Sequence, residues 1–452
     1  MLSKSLATVN PCSMCMPMGS VLVFRGIENC MTLFHGSQGC STYMRLYLAH
    51  HFREPVDIAS SALSEKGAVY GGAANLKQGL RNVIKGYNPK AIGIATTCLA
   101  ETIGDDVPQI VREFQAEEPL AKDVTFISVS TPSYAASHEV GYRVALKNLV
   151  QTLARKPEPG GGRTSGLTNN GRIDGRINIL VGSIVSPADV RYLKRLLDDW
   201  GLGYILLPDI SETFDAPLSE DMPRIPLGGT PLDDIRDSAN SKATVTIGGL
   251  VQEPGAGDFL KKEFEIPHTP LPLPIGLEYC DRLVACLEEL TGEAMPEGYE
   301  RERGRLLDTM VDAHKIVADA RTAVFGDTET VLGLTRLMTE LGMRPQIIAT
   351  GAINPAFAEA AAKLAPDSRI MTGADYSEIA EEVSTRGIDL MVGPFTGRQT
   401  AKKEKVPLLR VGLPNHDRFG ASHQLMLGYE GTMHLVDRLA NALIESKEGG
   451  PA

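Results

Sequence analysis

Apolar residues in this chain fall into short runs separated by stretches with helical spacing. The runs "KAIGIATTC" (90–98), "VTFISVST" (124–131), "INILVG" (177–182), "YILLPD" (204–209) and "ATVTIGG" (243–249) are β-branched and bounded by turn residues, as strands are. "RTAVFGD" (321–327), "RPQIIATG" (344–351), "IDLMVGP" (388–394) and "VPLLRVG" (406–412) repeat the theme. Between them lie helix-period segments such as "SPADVRYLKRLLDDWG" (186–201) and "DTETVLGLTRLMTELG" (327–342), which open on a Ser or Asp cap signal and close on Gly. Strands alternating with helices predict an α/β fold of buried parallel sheets with helices on both faces.

Three doubly wound, Rossmann-like units are expected: 1–155, 173–265, and 266–452, the last a helical connection followed by a third α/β unit. The segment "RKPEPGGGRTSGLTNNGR" (155–172) reads as a linker between the first two, because Gly, Pro and Asn dominate it. A length of 452 residues, about three times that of a typical domain, agrees with such a division.

Apolar content of 43% and charged content of 22% describe an ordinary globular protein. The balance of 45 basic against 56 acidic residues, net −11, argues against a nucleic-acid partner. No apolar run is long enough to span a bilayer, and the opening "MLSKSLATVNP" lacks the apolar region of a secretory signal. A cytoplasmic location without a membrane partner is the expectation.

The cysteines change this bland picture. Seven of them, at 12, 15, 30, 40, 98, 280 and 286, are too few and too unevenly spread for a disulfide framework. Four fall within the first 40 residues, and Cys98 ends a strand-like run. In open α/β sheets ligands sit beyond the carboxyl ends of strands, a position that Cys98 in "TTCLAE" and Ser133 in "STPSY" both occupy. Cys15 in "NPCSMCMPMG" and Cys40 in "HGSQGC" lie on loops free to converge there. Separate loops that each supply one thiolate are how a fold holds an iron-sulfur cluster. Structural thiols, a zinc site built on the Cys12/Cys15 C-x-x-C, and a redox-active C-x-x-C are the alternatives. Zinc lacks a second close pair, and Pro11 and Pro17 bracket the motif where a redox pair would open a helix.

"NPCSMCMPMG", "HGSQGC" followed by "HFREP", "SEKGAVYGGAANLKQGL", "TTCLAETIGDDV", "TPSYAASH", "RERGRLLDTMVDAH" and "VGLPNHDRFG" occur in one order along most of the chain. Together they resemble the β subunit of nitrogenase component 1. The resemblance implies an α2β2 heterotetramer with a homologous α-like subunit, and an eight-iron, seven-sulfur P-cluster at each α–β boundary with three cysteines from each chain. The matching positions are Cys15, Cys40 and Cys98. It further implies a complex iron-sulfur cofactor in the α-like subunit, and electrons delivered by a separate ATP-hydrolysing iron protein that carries a four-iron, four-sulfur cluster. This chain would then relay electrons rather than hold the catalytic residues.

Four further expectations follow from the resemblance. Ser133 matches a serine that ligates the oxidised cluster, the alternative being a turn hydroxyl. Tyr70 matches an exposed aromatic on the docking face for the iron protein, the alternative being a core tyrosine beneath the Gly71–Gly72 turn. Asp308 and Asp312, four apart on one helix face, match carboxylates that join Glu54 and the Arg53 carbonyl of the other β chain around a mononuclear Fe or Ca. Neutralisation by Arg301, Arg303 or Arg305 is the alternative there. Cys12, Cys30, Cys280 and Cys286 have no ligand counterpart and read as buried structural thiols.

Within the family, several reductases share this architecture. Only 14 residues precede Cys15, and "NPCSMCMPMG" departs from the usual C-Q-P. Both features point to the nitrogenase-like methylthio-alkane reductase, which cleaves carbon-sulfur bonds. Dinitrogen reduction by an alternative or molybdenum nitrogenase is the second reading. A cofactor-assembly scaffold is the third, disfavoured because all three cysteines are present.

Overall fold

The computed structural model describes residues 12–156, 175–220, 223–251 and 253–447. The expected linker at 155–172 therefore lies almost wholly outside the described residues. Contacts gather the chain into two compact units, one comprising Cys15–Thr246 with Pro254–Thr269 and the other the remainder.

Three sheets carry the fold. The first is built from β1 (Cys30–His35), β2 (Ala59–Ser60), β3 (Ala91–Thr96) and β4 (Thr125–Val129), in the order β2-β1-β3-β4 and parallel throughout. The second holds β5 (Ile177–Val181), β6 (Tyr204–Leu207), β7 (Thr244–Ile247) and β8 (His268–Leu271) in the order β6-β5-β7-β8. The third holds β9 (Arg321–Phe325), β10 (Arg344–Ala349), β11 (Arg369–Met371), β12 (Leu390–Gly393) and β13 (Leu408–Arg410), all parallel, in the order β11-β10-β9-β12-β13. All nine strands read from the apolar runs are present. β1, β2, β8 and β11 were not read: β2 and β11 are very short, and β1 carries Thr32 and His35 in an otherwise apolar run.

Helices cover the sheets as the parallel topology requires. In the first sheet, Met31, Leu33, Ile92 and Ile94 pack against Leu76, Leu80 and Val83 of the helix Ala73–Tyr87 and against Ile110, Val111 and Phe114 of the helix Val107–Glu117. The helix Met16–Arg25, buried along its whole length, seats Phe24 over β3, where a β-carbon on Gly93 would lie 2.3 Å from the ring. It crosses the helix His138–Leu153 at Gly19 and Gly141, whose missing side chains let the backbones touch. The Ser cap read at 186 is a full capping box with Asp189. No helix among the described residues is long and apolar enough to cross a membrane.

Candidate functional site

In the first sheet the chain leaves β1 toward β2 on one side and returns to β3 on the other. That reversal opens a crevice beyond the carboxyl ends of β1 and β3, where α/β sheets bind ligands. His35 and Thr96 end the two strands in register, and the Thr97 N–H donates to the His35 carbonyl at 3.0 Å. Gly36 lies so close to Thr97 that a β-carbon would fall 1.8 Å from its hydroxyl oxygen. The two outgoing loops are thereby pressed together, and each bears one of the cysteines.

Cys40 lies in the first turn of the helix Gln38–Phe52, with its Sγ 3.8 Å from Ser37 Oγ. The strand expected over 90–98 stops at Thr96, and Cys98 is the first residue of the helix Cys98–Ile103. The Ser133 N–H donates to Cys98 Sγ at 3.2 Å. Cys15 is the extended N-cap of the helix Met16–Arg25, its carbonyl accepting the Met18 N–H, and it bridges Ser137 in antiparallel fashion. The Gly19–Gly141 crossing and the Phe24–Gly93 contact set that helix, and hence Cys15, over the same end of the sheet.

The three thiols are near enough to feel one another. Burial pushes the Cys15 thiol up, a hydrogen bond with the Ser133 side chain works against the rise, and charge on Cys40 and Cys98 adds to it. Cys15 is nonetheless exposed, and Cys40 and Cys98 are half-exposed, so all three face outward. Two buried hydroxyls beside them, Thr97 Oγ1 and Ser137 Oγ, have no hydrogen-bond partner among the described residues. Also among the described residues, no three His, Cys, Asp or Glu side chains stand close enough to enclose one ion. Three thiols drawn from separate segments, an outward-facing position and hydroxyls without a partner among the described residues fit a polynuclear iron-sulfur group shared with a further chain.

The other cysteines take no part. Cys12 is buried with Phe325, Ala349 and Tyr376 in the core of the other unit, and its N–H donates to the Ala374 carbonyl at 3.0 Å. The two thiols of the C-x-x-C thus belong to different units. Cys30, Cys280 and Cys286 are buried, and burial pushes the Cys30 and Cys286 thiols up to about 12 and about 11. Such thiols are inert.

Tyr70 ends the short helix Glu65–Tyr70 and is 82% exposed, with Val69 beside it at 75%. Arg53 is the left-handed C-cap of the helix Gln38–Phe52 and is exposed, while Glu54 is half-buried. Burial and the Asp215 charge hold the Glu54 carboxyl above its usual range, against the pull of Arg25. Asp308 and Asp312 stand exposed on the helix Glu297–Val317 and carry no ion pair among the described residues. Arg301 pairs with Glu297, and Arg303 with Asp281. Sequence reasoning missed Gly19, Gly141, His35 and Asp105. The stretches "HGSQGC" and "TIGDD" held two of them, but no spacing rule joins residues 70 positions apart.

A family model described as nitrogenase component 1 type oxidoreductase matches residues 15–444. The chain is 32% identical over 448 residues to the nitrogenase molybdenum-iron protein beta chain of Clostridium pasteurianum, covering 97% of this chain and 94% of that one. It is 35% identical over 456 residues to the nitrogenase vanadium-iron protein beta chain of Trichormus variabilis, covering 97% and 95%. It is 33% identical over 453 residues to the nitrogenase iron-iron protein beta chain of Rhodobacter capsulatus, covering 98% and 95%. A solved structure of nitrogenase Cp1 at pH 6.5 superposes with a TM-score of 0.92 at 30% identity, covering 100% of this chain and 96% of that one.

Proposed function

The chain belongs to the nitrogenase component 1 type oxidoreductases, and from that membership we propose that it is the β subunit of a nitrogenase-like reductase. Cys15, Cys40 and Cys98 hold its half of a P-cluster shared with a homologous α-like subunit in an α2β2 assembly. When bound, the cluster supplies one-electron storage between an ATP-hydrolysing iron protein and the complex cofactor of the α-like subunit. The observation that carries the reading is the meeting of the three thiols, from three separate segments, at the switch point of the first sheet.

The chain's own residues tune that relay. An N–H donated to a ligating sulfur withdraws electron density and raises a cluster's potential, and the Ser133 amide stands in that relation to Cys98. The Ser133 hydroxyl would serve as a further ligand to the oxidised cluster, a reading that its hydrogen bond with Cys15 supports. Tyr70 and Val69 form part of the docking face for the iron protein, an exposed apolar pair of the kind that anchors interfaces. Glu54 and the Arg53 carbonyl, with Asp308 and Asp312 of a second β chain, make a hard oxygen site for Fe or Ca; the absence of ion pairs on the two aspartates among the described residues supports it.

For the substrate we favour methylthio-alkanes, reduced with cleavage of the carbon-sulfur bond. Identities of 32%, 35% and 33% to molybdenum, vanadium and iron-only β chains favour none of the three over the others, and the departure of "NPCSMCMPMG" from C-Q-P is what supports this choice. Dinitrogen is the second reading, favoured because those relatives are nitrogenase β chains. The purified complex with its iron protein should contain cluster iron and release methanethiol from a methylthio-alkane under ATP. Ammonia from dinitrogen without methanethiol would select the second reading. Full iron content and turnover in Cys98→Ala would overturn the cluster assignment itself.

A further inference from the structure

A single polar junction lies between the segment that exposes Tyr70 and the two loops that carry Cys40 and Cys98. At its centre is His35, the fully buried last residue of β1. Its Nε2 lies 2.9 Å from Asp105 Oδ2 and its Nδ1 lies 2.9 Å from Ser61 Oγ. Asp105 follows the helix that Cys98 opens, and its two oxygens share the Gly72 N–H at 3.0 Å each. Gly72 is the joint between the helices Glu65–Tyr70 and Ala73–Tyr87. On the other side, Ser61 Oγ accepts the N–H of Gly36, the first residue of the loop that leads to Cys40.

The joint is packed without slack. A β-carbon at Gly72 would fall 2.3 Å from Asp105 Oδ2 and 2.8 Å from His35 Cε1. Charge-assisted hydrogen bonds in a partly dry setting are stiff and directional, and they weaken steeply once displaced or bent. A shift of the turn beneath Tyr70 therefore either carries Asp105 with it or breaks these bonds.

We propose that His35 and Asp105 are positioning residues that transmit docking of the iron protein at the Tyr70 segment to the thiol-bearing loops. Movement passes through Gly72 to Asp105, then along its own loop to Cys98 and through His35 to the Cys40 loop. The inference rests on the cluster and docking-face reading above.

The test uses Asp105→Asn, His35→Gln and Gly72→Ala in the whole α2β2 complex. Iron content and the electron paramagnetic resonance spectrum of the isolated complex should match wild type, as should cluster reduction by a small-molecule reductant. Electron transfer from saturating iron protein should slow by about fivefold or more, the lower end of typical coupling between sites. Amide hydrogen exchange should quicken together at 36–40, at 71–72 and at 104–106. Gly72→Ala attacks the junction from the opposite side and decides the matter if Asp105→Asn does not assemble. Unchanged transfer at saturation overturns the proposal, as does a loss confined to iron-protein affinity, to exchange at one loop alone, or to cluster iron. Wild-type complex without cluster iron would instead mean that the underlying cluster reading had failed.

Discussion

Gly19 and Gly141 meet where two helices cross, each standing where a β-carbon would lie 1.9 Å from a backbone oxygen of the other helix, that of His138 or of Met16. The contact lies one turn from Cys15 and fixes where that thiol emerges. Gly19→Ala should destabilise the fold by about 1–3 kcal/mol, the usual cost of overpacking, and lower cluster iron. Gly86→Ala, in a helix with open space around the site, should leave both intact. Thermal denaturation and iron analysis of the two variants side by side check this.

Tyr70 is the most exposed aromatic of its segment, so its truncation removes little packing. Tyr70→Ala should raise the iron-protein concentration needed for half-maximal turnover by about tenfold, as loss of an aromatic anchor does. The melting temperature and iron content should stay at wild-type values. An unchanged titration curve would exclude Tyr70 from the docking face.

Asp281 accepts two hydrogen bonds from Arg303 at 2.9 Å and one from the Tyr429 hydroxyl at 2.7 Å, tying three helices together. Burial alone would raise its carboxyl, but these bonds outweigh it and hold the pKa below the ordinary 3.8. A depressed carboxylate contributes stability that is complete above the ordinary value and is lost as pH falls through the depressed one. Asp281→Asn should therefore lower the melting temperature at pH 7, by the equivalent of about 1 kcal/mol after solvent screening. The gap between variant and wild type should close as pH drops below about 3.8.

Asp308→Asn with Asp312→Asn should remove an oxygen-ligated metal from the contact between β chains and favour separate αβ halves on dilution. Anomalous scattering at that contact, with oxygen ligands at about 2.0–2.6 Å, checks the metal. Sedimentation of the complex checks the assembly. Cluster iron should be unaffected, since the aspartates lie outside the thiol site.

Most of the fold was legible because its signals are local. Nine strands announce themselves as apolar runs, and Ser186 announces a helix start through its capping box with Asp189. β1 was not legible although it is central to the first sheet, because Thr32 and His35 interrupt its apolar run, and their burial depends on partners elsewhere in the chain. Cys15, Cys40, Cys98 and Ser133 stand out through the motifs that carry the family resemblance, while their spacing alone leaves structural thiols and a turn hydroxyl open.

What the sequence determined by itself is therefore the α/β class and the alternation of elements, together with the thiols on which the proposed cluster site rests. Those depend on side-chain type and spacing within a few turns of chain. The tertiary structure alone decided that Cys12 and Cys15 go to different units, and that Gly19 must face Gly141. It also decided that His35 reaches Asp105 across 70 positions. Each of these is a close approach between segments brought together only by sheet order and helix crossing, and distance along a chain carries no information about distance across a fold.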